Sequence, residues 1–171
     1  HAPSVTGLRA ALGSGAATNS LADIEGAEVL IVSGSNTTEA HPVAALKIKK
    51  AVRQNGAKLI VIDPREIELV QYATVWLRLK PGTNVALING LLHVILKEGL
   101  ENREFIQQRT ENIDMLRQVV AQYTPEKTEE ITGVPHDDII RAARIYAGTR
   151  KGMIVYGLGM TEHKAGSHGV M

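Results

Sequence analysis

The stretch VLIVSG, residues 29–34, constrains the fold of this chain more than any other. Four large apolar residues follow one another and stop at a serine and a glycine. A strand with one wet face alternates apolar and polar residues, and this run does not. It reads as a strand buried on both faces, as in a parallel sheet covered by helices. AKLIVIDP, residues 57–64, has the same form, and Pro64 marks its end because proline cannot donate to a ladder. TVWLRL (74–79) alternates enough to be a third strand, with Trp76 at its margin. KGMIVYGLG (151–159) reads as a fourth buried strand.

Helical segments fall between these runs. SVTGLRAALGSGA starts a helix near Ser4 that breaks at Gly13 or Gly15, and SLADIEGAE is a short helix capped by Ser20. TEAHPVAALKIKKAVRQNG (38–56) reads as one helix ending at Gly56, with Val43, Leu46, Ile48 and Val52 as its apolar positions. Pro42 suits a first helical turn, and the basic residues crowd the end where the dipole favours them. REIELVQYA is a short helix. KPGTN is a turn from which Thr83 or Asn84 caps the helix VALINGLLHVILKEG. NREFIQQRT and IDMLRQVVAQY are further short helices. TPEKTEEITGVPHDDIIRAARIYAGT is a helix pair around Gly-Val-Pro, with Ile139, Ile140, Ala143 and Ile145 as an apolar stripe. MTEHKAGSHG after the fourth strand reads as a loop. The order predicts an open, mostly parallel, doubly wound α/β sheet flanked by helices, one domain over residues 1–171.

Composition excludes several classes. A formal net charge of +1 gives no general positive field for nucleic acid. The chain has no cysteine, hence no disulfide, no cysteine-ligated metal and no thiol nucleophile. No apolar run approaches the length of a membrane span. The chain begins at His1 without an initiating methionine and stops shortly after a strand, so a piece of a longer polypeptide is expected.

In a parallel α/β sheet, ligands bind beyond the C-terminal ends of the strands. All four predicted ends carry glycines and polar residues. The first offers Gly34, Ser35 and Asn36, with Glu39 close by; the second Asp63, Pro64 and Arg65. The third offers Pro81, Gly82, Thr83 and Asn84; the fourth Gly157, Gly159, Met160 and Glu162. Gly34 lets backbone approach a ligand. Ser35 and Asn36 bring donors toward a phosphate. Asp63 can accept from a ribose or a base amino group, and Arg65 can pair with phosphate or carboxylate. The pattern indicates a nucleotide-like ligand, yet VSGSNTTE is neither GxGxxG nor a Walker loop. The plainer alternative is a set of ordinary loops without a ligand.

The remaining chemistry-bearing residues read mostly as structural. His93 falls inside a helix, His136 sits at a helix start beside two aspartates, and Glu126, Lys127, Glu129 and Glu130 form a solvated face. Met115 and Met153 read as core. His41 suits a structural and a ligand-side role equally. His163, His168 and Glu162 meet no metal-ligand spacing, so no metal ligands are assigned.

An ordered set of stretches carries a resemblance. HAPSVTGL, GSGAATNS, EVLIVSGSNTTEAHP, GAKLIVIDPR, LRLKPGTNVALINGLLHVILKEGL, YTPEKTEEITGV and YGLGMTEH run through nearly the whole chain. Together they resemble the large subunit of the formate dehydrogenases, within the molybdopterin oxidoreductase family. The resemblance implies a domain that helps bind two molybdopterin guanine dinucleotides around one molybdenum or tungsten atom. On that likeness Ser35, Asn36 and Glu39 approach one guanine dinucleotide, and Asp63 and Arg65 match a DPR contact to its nucleotide. Gly82, Thr83 and Asn84 match the next loop. Gly159, Met160 and Glu162 match the loop toward the pterin.

The resemblance further implies that His1 matches a histidine that follows the metal-ligating cysteine or selenocysteine and helps the proton leave formate. That neighbour, an iron-sulfur segment of cysteines and a substrate-side arginine are not in these 171 residues. The implied reaction is reversible formate oxidation to carbon dioxide. The implied partners are the remaining domains of the subunit and electron-transfer subunits. A cytoplasmic location is expected, with the periplasm as the alternative. Rival readings are another family enzyme, of the nitrate reductase or NADH dehydrogenase large-subunit type, and a noncatalytic nucleotide-binding or interaction domain.

Overall fold

In a computed structural model, residues 2–164 and 166–171 are described. The elements run α1 (Ala2–Leu12), α2 (Asp23–Gly26), β1 (Val29–Ser33), α3 (Thr37–Ala40), α4 (Pro42–Asn55) and β2 (Lys58–Ile62). A 3₁₀ turn (Glu68–Tyr72) leads into β3 (Val75–Leu77), α5 (Asn84–Lys97), α6 (Arg103–Arg109), α7 (Ile113–Val120) and α8 (Pro125–Thr132). Then come α9 (His136–Ala147), β4 (Gly152–Tyr156), α10 (Leu158–Thr161) and α11 (Gly166–Val170). The strands form one parallel sheet in the order β3-β2-β1-β4.

The unbroken apolar runs have the physical cause expected of them. Alternate residues of β1 and β2 enter two separate cores. Val29, Ile31, Ile60 and Ile62 pack against Leu87, Leu91 and Val94 of α5 and Ile139, Ala142 and Ala143 of α9. Leu30, Val32, Leu59 and Val61 pack against Ile24 of α2, Ala44, Ile48 and Ala51 of α4, and Leu69. All five residues of β1 are buried.

Several expectations change. The helix read over 38–56 is two helices. His41 precedes Pro42, whose ring disfavours helical backbone at the residue before it, and His41 sits at φ −141°, ψ 64°. Pro42 then opens α4, and Gly56, at φ 72°, closes it. The buried stripe of α4 is the expected Ile48 with Ala44, Ala45 and Ala51, whereas Val43 and Leu46 are exposed. The fourth strand is not buried on both faces. It is an edge strand, and Ile154 is 52% exposed. REIELVQYA forms only a 3₁₀ turn at 68–72. The segment after β4 is not a plain loop but holds α10 and α11. Ser20 does not cap α2: its N–H and hydroxyl both donate to the Asp23 carboxylate, at 2.7 and 2.9 Å. Met115 is exposed at the surface of α7, while Met153 is buried as expected.

Two ties orient the flanking helices. Glu25 accepts from Lys47 at 2.6 Å and Lys50 at 2.7 Å, joining α2 to α4. The two ammonium hydrogen bonds hold its carboxyl down at about 2. A carboxylate with a depressed folded value stabilises above its unfolded value, and that contribution is lost as pH falls through the folded one. On the other face α5 lies against α8 at Gly90. A Cβ there would stand 2.6 Å from Thr128 Oγ1 and 2.7 Å from Thr128 Cγ2.

Gly90→Ala therefore overpacks the α5–α8 contact, and urea unfolding should show a loss of roughly 1–3 kcal/mol. An unchanged midpoint would mean that the helices separate without cost. The Glu25 carboxyl, followed by NMR, should titrate near 2. In a Lys47→Met, Lys50→Met double variant it should return toward the ordinary glutamate range.

Candidate functional site

Register places the site. Ser33 of β1 lies opposite Ile62 of β2 and Tyr156 of β4, and Ile62 lies opposite Leu77 of β3. The four strands therefore end level, and the loops that follow rise from one edge. Between them lies a cleft of about 420 Å³. Ten of the expected residues line it: Gly34, Ser35 and Asn36; Asp63, Pro64 and Arg65; Pro81 and Asn84; Gly157 and Gly159. Ala40, His41, Ile62, Leu79, Leu158 and His163 complete its wall.

The glycines have a structural task here. Gly34 takes φ 57°, and a Cβ on it would stand 2.5 Å from the carbonyl carbon of Gly159. A Cβ on Gly159 would stand 2.7 Å from Gly34 Cα, and one on Gly157 2.8 Å from the Gly34 oxygen. The loops after β1 and β4 thus meet backbone to backbone. The Gly157 N–H donates to the Ser33 carbonyl at 3.0 Å and the Gly159 N–H to the Gly34 carbonyl at 2.9 Å, extending the β1–β4 ladder past the strands. Gly34 was expected to admit a ligand, and the backbone it admits is that of Gly159. Two further donors converge on the Gly159 carbonyl: Asn84 Nδ2–H at 3.2 Å and His163 Nε2–H at 2.9 Å. Asn84 ties the third loop to the fourth, and His163 braces the fourth loop from within.

The second loop carries the charge. Asp63 is 3% exposed at the tip of β2, and its Oδ1 accepts the Arg65 backbone N–H at 2.9 Å. The Arg65 guanidinium stays largely exposed, with Nε 3.7 Å from the same oxygen. Trp76, half-buried, donates Nε1–H to the Asp63 carbonyl at 2.9 Å. Arg78, stacked over that indole, donates to the Pro64 carbonyl at 3.2 Å. Sequence reasoning missed Trp76 and Arg78 as the supports of this loop, although their alternation in TVWLRL puts both on one side of the strand end.

Five expected residues lie outside the cleft lining. Glu39 is exposed on α3, and Gly82 is exposed in the turn. Thr83 directs its hydroxyl to the Lys80 carbonyl at 2.7 Å. Met160 is buried beneath the fourth loop, and Glu162 is exposed. His1 lies outside the described residues. Among the described residues no group of three His, Asp or Glu side chains is placed to hold a metal ion.

The cleft combines a buried carboxylate acceptor, a solvent-facing guanidinium and short amide and hydroxyl donors, a donor set that fits a nucleotide. The carboxylate suits the N–H edge of a base or ribose hydroxyls, and the guanidinium suits a phosphate. Fold and cleft together define a parallel α/β domain with a cleft at the C-terminal ends of its strands.

The comparisons name the family. Residues 6–171 match the sequence profile of the molybdopterin oxidoreductases. The chain is 48% identical over 166 residues to the F420-dependent formate dehydrogenase 2 subunit alpha of Methanococcus maripaludis, covering 97% of this chain and 24% of that one. It is 42% identical to formate dehydrogenase H of Escherichia coli, covering 97% and 23%. Among solved structures, acetylene hydratase from Pelobacter acetylenicus superposes with a TM-score of 0.85 at 28% identity, covering 99% of this chain and 22% of that one. The chain belongs to the molybdopterin oxidoreductase family. It spans about a quarter of the length of the relatives it matches.

Gly34→Ala should place a methyl group inside the Gly159 backbone and open the β1–β4 loop contact. Faster amide exchange at Gly157 and Gly159, with β1 and β2 unchanged, is the expected result. Unaltered protection at both amides would remove the role given to Gly34.

Proposed function

We propose that this chain is one α/β domain of a larger formate dehydrogenase alpha subunit, and that its strand-end cleft receives the nucleotide part of a molybdopterin guanine dinucleotide. The observation that carries this reading is the convergence of Ser35, Asn36, Asp63, Arg65 and Asn84 on one cleft. The formate dehydrogenase subunits among its relatives, about four times its length, support the assignment to formate. The reading includes two guanine dinucleotides with molybdenum or tungsten and an iron-sulfur cluster elsewhere in the subunit.

The chain's own residues have the following tasks. Asp63, held by the Arg65 amide and by the Trp76 bond to its own carbonyl, presents a fixed acceptor to the guanine edge or the ribose. Arg65 neutralises a phosphate oxygen. Ser35 and Asn36 donate to the pyrophosphate, and the Gly34–Gly159 contact keeps their loop rigid. Glu39, Gly82, Thr83, Met160 and Glu162 belong to the same binding surface toward the rest of the cofactor. When bound, the metal centre supplies a two-electron acceptor. Oxidation of formate releases carbon dioxide, one proton and two electrons. His1 takes that proton, a task suited to an imidazole with an unperturbed pKa of ~6.5.

The test is to purify the full-length subunit anaerobically and to measure metal, guanine dinucleotide and formate-dependent dye reduction together. Metal with about two guanine dinucleotides per chain and formate activity is the expected result. Asp63→Ala and Arg65→Ala should each lower guanine dinucleotide content about tenfold. His1→Ala should reduce turnover roughly 10²- to 10⁴-fold with cofactor content intact. Cofactor without formate activity would move the substrate to another family member. Absence of cofactor would leave a noncatalytic relative.

A further inference from the structure

In β4, character and position disagree. Its residues, GMIVY, carry no charge and no proline, and its register with β1 runs without a bulge. Charge, proline, bulges and short length are the features by which edge strands keep other strands away. β3, at the opposite edge, has only three residues and is followed by Arg78. β4 has β1 on one side and, among the described residues, no strand on the other. We propose that this open edge takes a fifth parallel strand from the part of the subunit beyond residue 171, with the connecting helix laid over Ile154. The inference rests on the reading of this chain as one domain of a larger subunit.

The backbone of β4 shows which groups are open. The Lys151 carbonyl accepts from the Val29 N–H at 3.5 Å, and the Gly157 N–H donates to the Ser33 carbonyl at 3.0 Å. Successive strand residues alternate in direction, so Met153 and Val155 also turn their N–H and C=O groups toward β1. Gly152, Ile154 and Tyr156 turn theirs to the open side. The side chains follow the same boundary. Ile154 lies opposite Ile31, on the face that α5 and α9 cover. Ile31 is 5% exposed and Ile154 is 52% exposed. The core on that face therefore stops one strand short of the sheet's edge.

Handedness selects the occupant. The steps from β1 to β2 to β3 run one way across the sheet and place α4 and Leu69 on one face. The step from β3 to β4 runs the other way and places α5 and α9 on the opposite face. That reversal is what right-handed crossovers require. A further step past β4 in the same sense lays its helix on the α5–α9 face, where Ile154 is uncovered. α11, which follows β4, already packs against α5. With a new strand after β4, the order matches that of doubly wound sheets. The relatives hold enough chain to supply it, since this chain covers only 24% and 23% of their length. A second copy paired edge to edge across a two-fold axis runs its strand antiparallel and brings no new helix over Ile154.

Hydrogen–deuterium exchange of the full-length subunit, resolved to single residues, tests the edge. The Ile154 and Tyr156 amides should exchange within about a hundredfold of the inward-facing Met153 and Val155 amides. A larger gap is what an open edge gives, and it would overturn the proposal. Protection that is lost on dilution assigns the edge to a second copy and also overturns it. A photo-reactive residue in place of Lys151, which is exposed at the start of β4, should cross-link to peptides that follow residue 171. Links to another subunit reject this occupant. Ile154→Lys should lower the midpoint of thermal unfolding, because a covered site buries the charge. An unchanged midpoint removes the covering helix. Guanine dinucleotide content is measured on the same preparation. Slow exchange without the dinucleotide keeps the fifth strand and rejects the cofactor reading, and fast exchange with the dinucleotide present does the reverse.

Discussion

The double pairing of β1 is the interaction on which the rest of this chain depends. β1 is hydrogen-bonded to β2 on one edge and to β4 on the other, in registers that bring Ser33, Ile62 and Tyr156 level. A slip of one residue on either side would exchange the two cores, because every side chain of the strand would change face. It would also stagger the strand ends and scatter the loops. The site is therefore a consequence of register, and register is held by two cores that accept only the residues they have.

The loops show how such a site is made rigid without bulky side chains. Gly34 and Gly159 allow two backbones to touch, and their amides continue the sheet's hydrogen bonding beyond its last residues. Asn84 and His163 then close on the same carbonyl. On the opposite side of the cleft, Trp76 and Arg78 hold the Asp63–Arg65 loop by its carbonyls and leave the carboxylate and guanidinium available. Polar groups able to bind a ligand are partly used to fix the frame, which leaves the remaining ones preorganised.

Two acidic side chains illustrate how differently the fold treats a carboxylate. Asp63 is buried beside a donor that satisfies it, and this supports a fixed binding role. Glu101 is buried with one oxygen satisfied and the other not. The first lines the strand-end cleft, and the second stands in the wall of a cleft at the other end of α5. Nothing in the local sequence around Glu101 distinguishes it, since its hydrogen-bond partner Arg117 stands sixteen residues away.

What the sequence determined by itself was local and periodic. The unbroken runs at 29–32 and 59–62 required burial on both faces, Gly56 placed the end of α4, and the polar residues after each strand named ten residues of the cleft wall. What the sequence did not determine was contact across distance. The order β3-β2-β1-β4 put the fourth strand at an edge, so the apolar run MIV is only half covered. Three alanines share the buried face of α4 with Ile48, while Val43 and Leu46 are left exposed. The task of Gly34 was legible as conformational freedom but not as contact with Gly159, 125 positions away. Composition and spacing are one-dimensional, and only the folded sheet brings the ends of its strands to one edge.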